Sequence, residues 1–87
     1  MIDSMERILE RVRGGEERTL ETFTHRGETV PFKTLFFREG KWWIRKVKSV
    51  DGDVRYEEID ILHDEAVQAV RDYLARERGK QKKGETT

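Results

Sequence analysis

The chain contains no cysteine, which excludes disulfide staples and thiolate metal sites. It has two histidines, His25 and His63, far apart in sequence, and no His/Asp/Glu cluster at metal-ligand spacing. It has no GxGxxG run, no GKS/T phosphate loop and no GxSxG elbow. Glu57 and Glu58 adjoin within a strand-like stretch, where neighbouring side chains point to opposite sides, so they do not form a catalytic pair. These absences argue against an enzyme, and we expect no catalytic residue, no metal and no cofactor. His25 lies by a turn and His63 by a helix start; both read as surface or capping residues.

Long apolar runs are also missing. No segment approaches the ~20 apolar residues of a membrane span. The opening MIDSMERILERVR carries acids in its first turns and does not read as a signal peptide. A soluble, cytoplasmic protein without membrane contact is the expectation. Only 34% of the 87 residues are hydrophobic and 41% are charged, so the core of this single small domain must be thin. Such a chain gains stability by self-association, and a homodimer is expected.

What the chain does have is concentrated between Phe32 and Val50, FKTLFFREGKWWIRKVKSV. This stretch holds three of the four phenylalanines and both tryptophans. Glu39-Gly40 reads as a hairpin turn, because glycine tolerates the positive φ that a tight turn needs. A two-residue loop there pairs Arg38 with Lys41, Phe37 with Trp42, Phe36 with Trp43, Leu35 with Ile44 and Thr34 with Arg45. Directly paired residues share a face of the sheet. One face then carries Leu35, Phe37, Trp42 and Ile44 without a charge. The other mixes Phe32, Phe36 and Trp43 with Thr34, Arg38, Lys41 and Arg45.

Asp51-Gly52 is the strongest turn signal in the chain. It pairs Trp42 with Ile61, Trp43 with Asp60, Ile44 with Ile59, Arg45 with Glu58 and Val47 with Tyr56. Ile59 and Ile61 join the apolar face; Val54, Tyr56, Glu58 and Asp60 join the mixed one. Two independent turns thus sort the side chains in the same way. A first strand, Arg18–His25, turns at Arg26-Gly27 and pairs Phe23 with Val30 and Glu21 with Phe32. Pro31 cannot donate to a ladder, which makes the start of the second strand irregular.

Helices flank these strands. Ile2, Met5, Ile8, Leu9 and Val12 form one apolar stripe over Asp3–Arg13. Asp3 with Glu6 resembles a capping box, and Gly14-Gly15 ends the helix. The stripe fits packing on the sheet, with a partner helix as the alternative. A second helix spans Asp64–Arg78, capped by His63 or Asp64, with Ala66, Val67, Val70, Tyr73 and Leu74 on its apolar side. The fold class is α+β: an N-terminal helix, a four-stranded antiparallel meander and a C-terminal helix. The domain covers residues 1–78, and the basic tail 79–87 is expected to be disordered.

Charge is balanced overall but unevenly spread. Thr24–Val50 carries seven bases against Glu28 and Glu39, a net of +5. Asp51–Glu65 carries seven acids against Arg55, a net of −6. The mixed face has the chemistry of a single-stranded nucleic-acid surface, with rings for base stacking and cations for phosphates. The residues expected to bind are Phe32, Phe36, Arg38, Lys41, Trp43, Arg45, Lys46 and Lys48. Two other readings stand beside it. In one, the mixed face is a second core layer, covered by one helix while the other helix covers the opposite face. In the other, it is the contact surface of a dimeric protein-interaction or regulatory module without nucleic acid.

The strand GKWWIRKV (Gly40–Val47) and the strand-into-helix run ILHDEAVQAVRDYL (Ile61–Leu74) resemble the meander-plus-helix unit of Pur-alpha repeats. They are similar as well to the positive-cofactor-four (p15) coactivators and their whirly relatives. The resemblance covers about half the chain; the helix at Asp3–Arg13 and the acidic fourth strand depart from it. It implies binding of single-stranded DNA or RNA on the sheet, by a dimer.

Overall fold

Two turns with positive φ at both central residues shape the middle of the chain: Arg26-Gly27 (51° and 81°) and Glu39-Gly40 (55° and 73°). This backbone matches the twist of antiparallel strands and closes hairpins tightly. In the computed structural model, which describes residues 4–50 and 52–85, the element order is α1 (Met5–Arg13), β1 (Arg18–His25), β2 (Glu28–Arg38), β3 (Lys41–Val50), β4 (Asp53–Ile61) and α2 (His63–Glu85). The strands form one antiparallel sheet in the order β1-β2-β3-β4. The fold is the α+β arrangement expected from the sequence.

The β2–β3 and β3–β4 registers follow from the turns. Phe36 opposes Trp43, Phe37 opposes Trp42, Ile44 opposes Ile59 and Trp42 opposes Ile61. The β1–β2 ladder departs from the expectation at one point. Phe23 does oppose Val30, but Glu21 opposes Lys33 instead of Phe32. A register shift follows Thr22↔Pro31, and a second between Glu21 and Thr19 restores the pairing. Pro31 has no N–H for the ladder, and a bulge here accommodates the residue after it.

One core forms, on one face of the sheet. Leu20, Leu35, Trp42 and Ile44 meet Ile8 and Val12 of α1 and Ala66, Val70 and Leu74 of α2. Phe37, Ile61 and Tyr73 pack at its margin. Both helices therefore lie on the same side, and the reading with one helix on each face is corrected. The physical reason is charge: covering the other face would desolvate Arg38, Arg45, Glu58 and Asp60. The smallest dimension of the molecule, 18 Å, is that of one sheet under one helix layer.

The helix ends differ in detail from the expectation. Ser4 is the N-cap of α1, and its Oγ accepts from the Arg7 N–H at 3.2 Å. Ile2 and Asp3, proposed for the stripe and the cap, lie outside the described residues. At α2 neither His63 nor Asp64 caps; the Glu65 carboxylate reaches back to accept from the Leu62 N–H at 3.0 Å. The helix also continues through Gly79 to Glu85, into the segment expected to be disordered. The two glycines, Gly79 and Gly84, each cost a helix ~1 kcal/mol, and the Lys, Gln and Arg residues around them are good helix formers. Among the described residues no helix is long and apolar enough to cross a membrane.

Candidate nucleic-acid interface

Alternation along β2 and β3 aims Phe36 and Trp43 away from both helices. Their rings are nearly parallel, 12° apart, with centroids separated by 6.2 Å. The Arg38 guanidinium lies over both, 5.1 Å from the Phe36 centroid and 4.8 Å from that of Trp43. The Arg45 guanidinium covers Phe36 at 4.8 Å. These are cation–π distances. Trp43 Nε1–H donates to the Arg38 carbonyl at 3.0 Å, which fixes the indole in its plane.

Carboxylates hold the two guanidinium groups in place. Arg38 Nη2 donates to Glu58 Oε1 at 2.9 Å, and Arg45 Nε donates to Glu58 Oε2 at 3.1 Å. Arg45 also forks onto Glu17, with Nη1 and Nη2 at 3.0 and 3.2 Å from the two oxygens. Lys41 Nζ lies 3.9 Å from Asp60 Oδ2. Hydrogen bonds from Arg38 first, then Arg45, hold the Glu58 carboxyl below its ordinary pKa. The bond to Glu17 is the largest cause that holds Arg45 even more firmly protonated than usual; burial opposes it, and the bond to Glu58 adds to it. The result is a charge-balanced lattice over an aromatic pair. Phe36 is only 4% exposed, covered by guanidinium groups and not by a helix. Trp43 remains half-buried.

The eight residues expected from the sequence do not share one surface. Phe36, Arg38, Lys41, Trp43 and Arg45 lie together on the open face. Phe32, displaced by the bulge, lines a groove of about 460 Å³ on the helix-bearing side with Lys46, Ile44, Ile59 and Ala69 of α2. Its ring meets Phe23 edge-on, with centroids 6.3 Å apart. Lys48 is two residues beyond Lys46 in an unbroken ladder, and so faces the same side as Lys46. Glu17 is the member of this charged cluster that the sequence did not reveal. It sits before β1 with no periodic neighbour to signal its direction.

The histidines are apart. His25 packs against the Phe23 ring at 6.2 Å, and His63 against the Trp42 ring at 5.9 Å. Among the described residues no group of three or more His, Asp or Glu is placed to hold a metal ion. Comparison with protein-family models, curated proteins and solved structures returns no match for this chain.

Proposed function

We propose that this protein is a non-enzymatic module that binds single-stranded nucleic acid on the open face of its sheet. The observation that carries the reading is that both helices pack on the opposite face, which leaves Trp43 and its flanking arginines outward. A base stacked on an exposed ring contributes ~1–3 kcal/mol. The guanidinium groups of Arg38 and Arg45 are already oriented over the rings, with Lys41 beside them. Their ion pairs are solvent-exposed, and such pairs contribute only ~0.2–1 kcal/mol each. The Glu17 side chain is 52% exposed, so a phosphate can take its place on the Arg45 fork at little cost.

A second reading has its own support. The open face is electrically balanced by Glu17, Glu58 and Asp60, and Phe36 is closed off, which suits a neutral protein surface better than a polyanion. In that reading the chain is a regulatory or interaction module. Titration with mixed-sequence single-stranded oligonucleotides separates the two. Nucleic-acid binding predicts quenching of tryptophan fluorescence that disappears in Trp43→Phe. An interaction module predicts unchanged fluorescence and anisotropy at physiological salt.

A further inference from the structure

The two edges of the sheet are treated differently. At β1 the backbone is irregular, with two register shifts, and α2 reaches over it: Arg76 Nη2 donates to the Leu20 carbonyl at 3.3 Å and lies 3.8 Å from Glu21. Arg18 donates to the Tyr73 hydroxyl at 2.8 Å. Bulges and covering helices are the usual means of blunting an edge. By contrast β4 pairs with β3 over nine consecutive positions without a shift and contains no proline. Its outer row of N–H and C=O groups has no such tether from α2 among the described residues.

We propose that β4 pairs with β4 of a second copy, antiparallel and centred on Tyr56, to give one continuous eight-stranded sheet. A two-fold axis perpendicular to the sheet requires opposed residues to share a face, so the centre must fall on a residue. Charge then selects which one. Centring on Arg55, Glu57 or Glu58 sets a like charge against itself. Centring on Ile59 sets Glu58 against the partner's Asp60, and centring on Val54 leaves only three strand residues in register. Centring on Tyr56 sets Arg55 against the partner's Glu57, twice, and Tyr56 against the partner's Tyr56.

A second observation points to the same register. Within one chain Lys48 directly opposes Arg55, a like-charge pair that destabilises a ladder. Neither has an ion pair among the described residues. In the Tyr56-centred dimer the partner's Glu57 extends that row and supplies the missing carboxylate. On the open face Tyr56, 44% exposed in the single chain, meets its own copy. The two Trp43 sites then lie on the same side of one sheet. The dimer does not depend on what the open face binds.

The test is charge reversal with rescue, read by sedimentation equilibrium of the full chain. Wild type is expected to be a dimer at micromolar concentration. Arg55→Glu at an exposed edge position and Glu57→Arg at a half-buried one should each raise the dissociation constant roughly tenfold or more. The double variant should restore it. Tyr56→Cys adds the single thiol of an otherwise cysteine-free chain and should form an intermolecular disulfide under mild oxidation. Dimerisation unaffected by either reversal, no rescue in the double variant, no Tyr56→Cys cross-link, or a wild-type monomer at high concentration would each overturn the interface. Far-UV circular dichroism that matches wild type, with a melting temperature that no longer rises with protein concentration, shows that the reversals act on association and not on the fold.

Discussion

Trp42 and Trp43 are adjacent in the chain and stand on opposite faces of the sheet. Trp42 is 5% exposed, edge-on to Phe37 at 5.0 Å and beside His63, inside the hydrophobic core under the helices. Trp43 lies over Phe36 under an arginine lattice. Replacing each tells whether the two faces do different work. Trp42→Ala should cost ~3–5 kcal/mol in chemical denaturation, enough to unfold a domain this small. Trp43→Ala, which removes a ring from the side without a helix layer, should cost much less. Equal losses would mean that the open face is a second core.

The Glu58 carboxylate should make stability depend on acid pH. Arg38 and Arg45 hold its folded-state pKa below the unfolded value. The stabilisation is therefore fully present above the unfolded pKa of ~4.3, and is lost as pH falls through the lower folded pKa. Melting temperature measured between neutral and strongly acid pH should show a gap between wild type and Glu58→Gln that closes in acid. A gap independent of pH would mean that the carboxylate is not held by the arginines.

Glu39 carries φ 55°, a left-handed backbone that only Gly, Asn and Asp adopt readily. Glu39→Asn should stabilise the β2–β3 hairpin by roughly 0.5–1 kcal/mol. Gly40 has φ 73°, and a Cβ placed there would meet open space, so Gly40→Ala should cost about 1–2 kcal/mol through the backbone alone. Denaturation midpoints moving in the same direction for both variants would contradict the turn geometry.

The sheet was legible because two turn dipeptides, Glu39-Gly40 and Asp51-Gly52, fix the register of three strands, and alternation then assigns every side chain in them a face. Alternation carried back towards Pro31 misplaces Phe32, because the missing N–H breaks the ladder there. Charge alone groups Lys46 and Lys48 with Arg45, although the same pairing that puts Val47 opposite Tyr56 puts both lysines on the helix side. What periodicity does not encode is which face two amphipathic helices share. Here that is decided by the charges crossing the other face. Nor does it encode the direction of Glu17, whose partner is fixed only once β1 is docked.

Whether the open face binds single-stranded nucleic acid can be read from the salt dependence of oligonucleotide affinity. Each phosphate contact contributes a slope of about −0.7 in log K against log salt for a single strand. Measurable binding is expected at physiological salt. Replacing Arg38, Lys41 and Arg45 together by Gln should flatten the slope by roughly 2. Absence of binding, or the same slope in wild type and the triple variant, would contradict the assignment of this face.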